Sequence, residues 1–296
     1  MTAHRSITAP TANAPYLLIS RIGPHSLHPR WLPRDGGFDV LLSCYDPETA
    51  PVEGNGILFE YRPGTKVVGY GEIIHEHAAL IRQYRYVALF DDDLATDSAS
   101  LLRLFRIIDA HQLKLAQPAL DHQSYFTYAC LLQHKRFTLR HVNFIEMMCP
   151  FFRSDALLEV APLFELGVES GIDLIWSALL HKAPGEFAVI DSIPVRHTRP
   201  VGAVKAMNGF VDGRIYETDI HAVLARFGVP WLPALPYGGL LPDGRYTRSR
   251  LALFLAAGKL MQAIPIRSAR FRLRAVATYW RQLLRSSARN VEARWP

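Results

Sequence analysis

Short apolar runs broken by Gly, Pro and Asp recur through the first two thirds of the chain, and most are too short for a helix. Residues 16–22 (YLLISRI) predict a first buried strand that stops at Gly23-Pro24, and residues 38–45 (FDVLLSCY) a second that stops at Asp46-Pro47. Residues 54–61 and 66–70 are predicted as short extended pieces. Ile73, Ile74, Ala78, Leu80 and Ile81 recur at helical spacing within 72–84. The run YVALF at 86–90 suits a strand buried on both faces. Ser98 is then placed to cap a helix over 99–111. Strands are predicted at 115–121 and 187–190, an extended stretch at 142–152, and helices at 172–181 and from Ser154, as a cap, to Val160. Such alternation predicts an α/β fold: a mainly parallel, Rossmann-type sheet flanked by helices, with ligands at the carboxyl ends of the strands.

Charge divides this picture. Hydrophobic residues make up 49% and charged residues 20% of the 296, an ordinary globular balance, and the net charge is +6. From Arg245 onward there are 12 Lys or Arg and a single acid, Glu292, so the body is mildly acidic and the tail strongly basic. Residues 1–15 are expected to be a loose arm, 16–229 the catalytic domain, 230–244 a Pro/Gly-rich linker, and 245–296 a basic helical C-terminal appendage. Its helices, predicted over 248–260 and 268–286, combine an apolar face with an arginine rim. That pattern leaves two readings open, packing on the domain or lying on an anionic membrane surface. The charge is not spread over a fold with interleaved aromatics, so no nucleic-acid partner is expected. Cys44, Cys130 and Cys149 form no CxxC pair, and no signal peptide or spanning segment is visible. The expected location is the cytoplasm, with the inner membrane face as a peripheral option.

The candidate chemistry begins where the strand at 86–90 meets Asp91, Asp92 and Asp93. Three adjacent carboxylates repel one another unless a cation sits among them, and a hard divalent ion, Mn²⁺ or Mg²⁺, prefers oxygen ligands and shares them with phosphates. Glu146 is the only charge in VNFIEMMCPFF, so it is either paired or functional. Arg196 and Arg199 could engage a pyrophosphate. Neither GxGxxG nor GxxxxGK[ST] occurs, which argues against dinucleotide oxidoreductases and P-loop enzymes.

Five blocks in order, FDDDL, QPALD, IEMMCPFF, SGIDLIW and VIDSIPVRHTRPVG, resemble a plant and bacterial family of unknown-function domains. Some plant members are labelled lysine-ketoglutarate-reductase trans-splicing-related. That family in turn looks like the GT-A nucleotide-sugar glycosyltransferases. The resemblance implies a divalent metal held by Asp91, Asp93 and His197, with Asp91 and Asp92 toward the donor. It also implies a base at Asp173, at the start of the acceptor-side helix, with Glu146 as second choice. Gln117 of the QPALD block, Asp46 at the second strand end, Arg196 and Arg199 complete the expected substrate contacts. The implied activity is metal-dependent sugar transfer from a nucleotide-sugar donor to a glycan or lipid-linked acceptor. Two alternatives stand beside it, a non-catalytic carbohydrate- or nucleotide-binding protein on the same fold and a metal-dependent phosphohydrolase.

Overall fold

A computed structural model describes residues 12–33, 36–200, 213–258, 260, 269–286, 288 and 293–296. Most of the predicted arm and the last two residues of the 189–202 block therefore lie outside the described residues. The fold is mixed α/β. Strands β1 (Tyr16–Ile22), β2 (Asp39–Cys44) and β3 (Ile57–Tyr61) run parallel. Helices α1 (Lys66–Glu76) and α2 (Ala78–Ile81) carry the chain back to β4 (Tyr86–Leu89), which pairs parallel with the other edge of β1. There follow β5 (Leu94–Ala95), α3 (Ser98–Ala110), β6 (Leu115–Leu120), β7 (Leu139–Val142) and β8 (Phe151–Arg153). Next come α4 (Ser154–Val160), α5 (Ile172–Leu180), β9 (Phe187–His197), α6 (Gly213–Phe227), β10 (Pro236–Leu240) and β11 (Tyr246–Thr247). The chain closes with α7 (Arg250–Ala257) and α8 (Ala269–Arg285).

The sheet order is β11-β10-β7-β9-β6-β8-β4-β1-β2-β3, with β5 pairing off this path to β9. Every residue of β1, β2, β4 and β6 is buried, as expected of central strands covered on both faces. From β1 the chain moves outward through β2 and β3, then crosses to β4 on the opposite side. That reversal opens a crevice at the carboxyl ends of β1 and β4, where open α/β sheets bind ligands.

Several expectations are corrected. The sheet is only partly parallel: β8 runs antiparallel between β4 and β6, and β7, β10 and β11 are antiparallel as well. Residues 66–70 are helical. The β-branched pair Val67 and Val68 yields to the helical spacing of Val67, Tyr70, Ile73 and Ile74, which buries one face and leaves Val68 outside. Residues 142–152 are extended only at their two ends, because 143–150 is a loop. Asp97, not Ser98, caps α3, accepting a 2.8 Å bond from the Ser100 amide. Ser154 is the first residue of α4 and makes no cap bond. The strand expected at 187–190 continues to His197, which brings that histidine to the crevice.

Residues 230–244, expected as a linker, contain β10, which pairs with β7, while Asn143 hydrogen-bonds Pro233 O and the Leu235 amide. The basic helix α8 packs on the domain through Val276, Tyr279 and Leu283, with the Tyr279 ring edge-on to His134. Beneath it lies a fully buried ion pair, Arg140 Nε to Asp191 Oδ2 at 2.7 Å. The remaining donors of Arg140 reach the carbonyls of Cys130 and Leu132 and the second oxygen of Asp191, the pairing that makes a buried charge tolerable.

Candidate functional site

Six segments converge at the crevice, each held by a specific contact. Phe90 continues β4 by donating to Ile19 O, and the Asp91 amide donates to Met148 O, so the aspartates stand where β4 leaves the sheet. The register Leu94↔His197 between β5 and β9 then sets His197 beside Asp93, with Nε2 to Oδ2 at 3.2 Å. Thr198 fixes the same turn through two bonds to Asp93 O. On the β1 side, the Gly23 amide donates to Asp92 Oδ2 at 3.2 Å, spanning the reversal point of the sheet. A side chain at Gly23 would meet the Tyr45 ring within 2.5 Å, so a larger residue there requires the phenol to shift.

The loop at 143–150 carries Glu146 and is pinned from three sides. Gln117 Oε1 accepts the Glu146 amide, Trp176 Nε1 donates to Ile145 O, and Asp173 Oδ2 accepts the Met147 amide at 3.4 Å. Asp173 stands in the first turn of α5 because Gly171 enters that helix at φ 90, a left-handed start with Ile220 packed too close for a larger residue. Lys66, from the start of α1, closes the group: its Nζ lies 2.7 Å from Asp91 Oδ2 and 3.1 Å from Met147 O.

Electrostatically the cluster is short of positive charge. Asp91, Asp92, Asp93, Glu146 and Asp173 face Lys66, Arg199 and His197. Burial raises the Asp91 carboxyl despite Lys66, with the Asp93 charge adding to the effect. Burial, opposed by Arg199 but reinforced by Asp93 and Asp91, takes Asp92 to about 7. Glu146 is pushed to about 7 by burial and the Asp173 charge, and Asp173 to about 6 by burial. Asp93 alone goes down, since the hydrogen bond and charge of His197 outweigh its burial. For the same reason the His197 imidazole, which burial alone would lower, is raised. Two buried oxygens, Asp93 Oδ1 and Glu146 Oε2, have no hydrogen-bond partner. Unsatisfied carboxylate oxygens in a net-negative pocket are what a divalent cation and a hydroxyl-bearing ligand would complete.

Not every expected residue joins this group. Arg196 alternates to the other face of β9 from His197 and is taken up by Asp121, Nε to Oδ2 at 2.7 Å. Gln117 is fully buried and serves the loop backbone, as described. Asp46 follows the end of β2, and its Oδ2 accepts from Thr49 Oγ1. Arg199 does reach the cluster, at 3.4 Å from Asp92 Oδ1. The sequence reading missed Lys66. Lys66 carried no signal because it stood in a stretch read as extended.

A second acidic group lies at the edge of the sheet. Glu60, Glu76 and His77 bring ligand atoms within 4.8 Å of one another and could hold a divalent ion. Among the described residues no other three such side chains converge as tightly; Asp91 is turned onto Lys66 rather than toward Asp93 and His197. Arg62 already occupies the edge group, with Nη2 2.5 Å from Glu76 and Nε 2.8 Å from Glu60. Burial works against Glu60, yet hydrogen bonds from His77 and Arg62 bring it down to about 2. A folded-state value below the unfolded one means that the contribution is complete above about pH 4.3 and is lost as pH falls through about 2. Glu60→Gln is therefore expected to cost about 3 kcal/mol in urea denaturation at pH 7, the gap to wild type closing as the pH approaches 2.

Comparisons with known proteins agree with this picture only coarsely. Residues 74–148, about a quarter of the chain, match the family described as "Protein of unknown function (DUF707)". That stretch holds Asp91 to Asp93, Gln117 and Glu146, but not Asp173 or His197. No curated protein matches. Among solved structures, S. aureus TarS 1-349 in complex with UDP-GlcNAc is similar at 9% identity and a TM-score of 0.41, over 92% of this chain and 73% of that one. A197 from STIV is similar at 12% identity and a TM-score of 0.36, over 79% of this chain and 93% of that one. These likenesses are distant and carry no argument about activity. The chain is thus similar, from the end of α1 to the loop that follows β7, to a domain family of unknown function.

Proposed function

We propose that the chain is a GT-A-type glycosyltransferase that uses Mn²⁺ or Mg²⁺ to move a sugar from a nucleoside-diphosphate donor to a glycan or lipid-linked acceptor. The observation that carries this reading is that two buried carboxylate oxygens of the cluster, Asp93 Oδ1 and Glu146 Oε2, have no hydrogen-bond partner. Asp91, Asp93 and His197 would hold the metal, which neutralises charge on the leaving diphosphate as a Lewis acid. The donor lies across the ends of β1 and β2, near Gly23, Tyr45 and Asp92, with Arg199 toward its phosphates.

In the transfer, the acceptor oxygen forms a bond to the anomeric carbon. The bond from that carbon to the diphosphate oxygen breaks, and its electron pair leaves on the diphosphate. The acceptor proton passes to a carboxylate. Both oxygens of Asp173 accept backbone amides, from Met147 and Leu174, whereas Glu146 keeps one oxygen free. We therefore assign proton transfer to Glu146, and to Asp173 the positioning of its loop and the negative charge that raises its basicity. On this reading residues 16–229 are the catalytic part, in the cytoplasm. No helix among the described residues is long and apolar enough to cross a membrane. Leu251, Leu255, Leu273 and Leu284 stay exposed on α7 and α8, which suits peripheral contact with an anionic surface.

A second reading has its own observation. Lys66, Arg199 and His197 each pair with one of the three aspartates, as in a protein that retains the fold without a metal. Thermal-shift titration with nucleoside diphosphates separates the two. The glycosyltransferase reading expects one base to stabilise the protein by about 2.7 kcal/mol at a hundredfold excess over Kd, only with Mn²⁺ present. Stabilisation without metal would favour the binding protein, and no response to any base would refute the donor site.

A further inference from the structure

A cavity lies close to the carboxylate pair of Glu146 and Asp173, linked to it through Thr127 and Tyr128. It has a volume of about 420 Å³ and opens between the segment after β6, the stretch before β10 and helix α8, within the size range of small-ligand clefts. Two residues of its wall interact with the carboxylate pair. Thr127 lines the cavity and hydrogen-bonds Glu146, and the adjacent Tyr128 phenol feels the charges of both Asp173 and Glu146. Across the cavity, Trp231 is 49% exposed, a large aromatic face left in solvent at the rim of a concave site. Phe271 and Arg274 of α8 complete that side. Among the described residues no carboxylate lines the cavity, and Arg274 is its one formal charge.

We propose that this cavity is the acceptor subsite and that it takes a pyranose ring, neutral or carrying one anionic group, with α8 forming one wall. The proposal rests on the glycosyltransferase reading and deepens it by naming where the acceptor sits. Aromatic faces suit the C–H faces of a sugar ring, which bury apolar area while the hydroxyls project sideways to polar groups. The absence of any acidic side chain from the lining disfavours a cationic ligand, and Arg274 favours a uronate over an amino sugar. A ring bound there presents a hydroxyl toward the Thr127 and Tyr128 wall and so toward Glu146. Helix α8 then belongs to the substrate site as well as to the surface of the domain.

The test uses the full chain and saturation-transfer NMR with methyl glucoside, methyl galactoside and methyl glucuronide as probes. Wild type is expected to give saturation transfer to the ring C–H protons, strongest for the glucuronide. Thr278→Trp, which fills the cavity from the exposed side of α8, and Trp231→Ala should each weaken the response about tenfold or more. Nucleoside diphosphate and Mn²⁺ titrated into Thr278→Trp should give the wild-type thermal shift, which shows that the variant is folded and its donor site intact. Loss of that shift in wild type would refute the donor reading and leave the cavity to be judged by the glycosides alone. The proposal is overturned if no glycoside binds wild type, if binding is unchanged in both variants, or if octyl sulfate occupies the cavity while the glycosides do not.

Discussion

Glu146→Gln is expected to keep metal-dependent donor binding and to lower kcat by about 10²- to 10⁴-fold. The isosteric amide preserves the volume and the loop geometry, because the contact from Gln117 is made to the backbone amide of residue 146 and not to its side chain. What disappears is the proton acceptor. A group taken to about 7 by burial and the Asp173 charge is basic enough to accept a hydroxyl proton and acidic enough to be ionised near neutrality. Asp173→Asn should lower kcat less, because it leaves Glu146 in place while removing the neighbouring charge and weakening the Met147 contact. Single-turnover kinetics on both variants checks the order. A larger loss in Asp173→Asn would return the base to that residue.

Asp93→Asn is expected to abolish the Mn²⁺-dependent part of the thermal shift, a loss of about 2.7 kcal/mol at a hundredfold excess of ligand over Kd. Asp93 is the one member of the cluster held low, so it is the carboxylate most fully ionised and ready for a cation. The substitution also removes the side-chain partner of His197, whose imidazole is raised, against its burial, by that contact, by the hydrogen bond to Tyr125 O and by the nearby Asp91 charge. The ligand-free protein should remain folded, since the backbone bonds from Thr198 to Asp93 O survive. Asp91→Asn should act similarly but leave Lys66 without its ion pair, at some further expense in stability. Retention of a full Mn²⁺ effect in both variants would move the metal away from this turn.

The sequence made β4 and its aspartates legible because YVALF followed by three acids is a sharp change of polarity, and strand ends are where such changes become sites. His197 was legible only by resemblance; the pairing of Leu94 with His197 that places it depends on a two-residue strand no pattern reveals. Arg196 illustrates the opposite case. Its neighbour faces the cluster, and strand alternation sends Arg196 away, which a strand expected to end at residue 190 does not reveal. The antiparallel β8 was hidden because a strand buried between two others has the same apolar run whichever way it points. Lys66 was hidden because local β-branching suggested extension where one buried helical face decided the outcome. The cavity close to Glu146 could not be foreseen, since it is made by segments brought together only by the packing of α8.

The most direct measurement is anomalous diffraction from crystals soaked with Mn²⁺ and a nucleoside diphosphate that gives a thermal shift. The account predicts a manganese peak between Asp91, Asp93 and His197, with the Lys66 ammonium displaced from Asp91 and the diphosphate on the metal. A peak at Glu60, Glu76 and His77 alone, or nucleotide density at the crevice without metal, would contradict it.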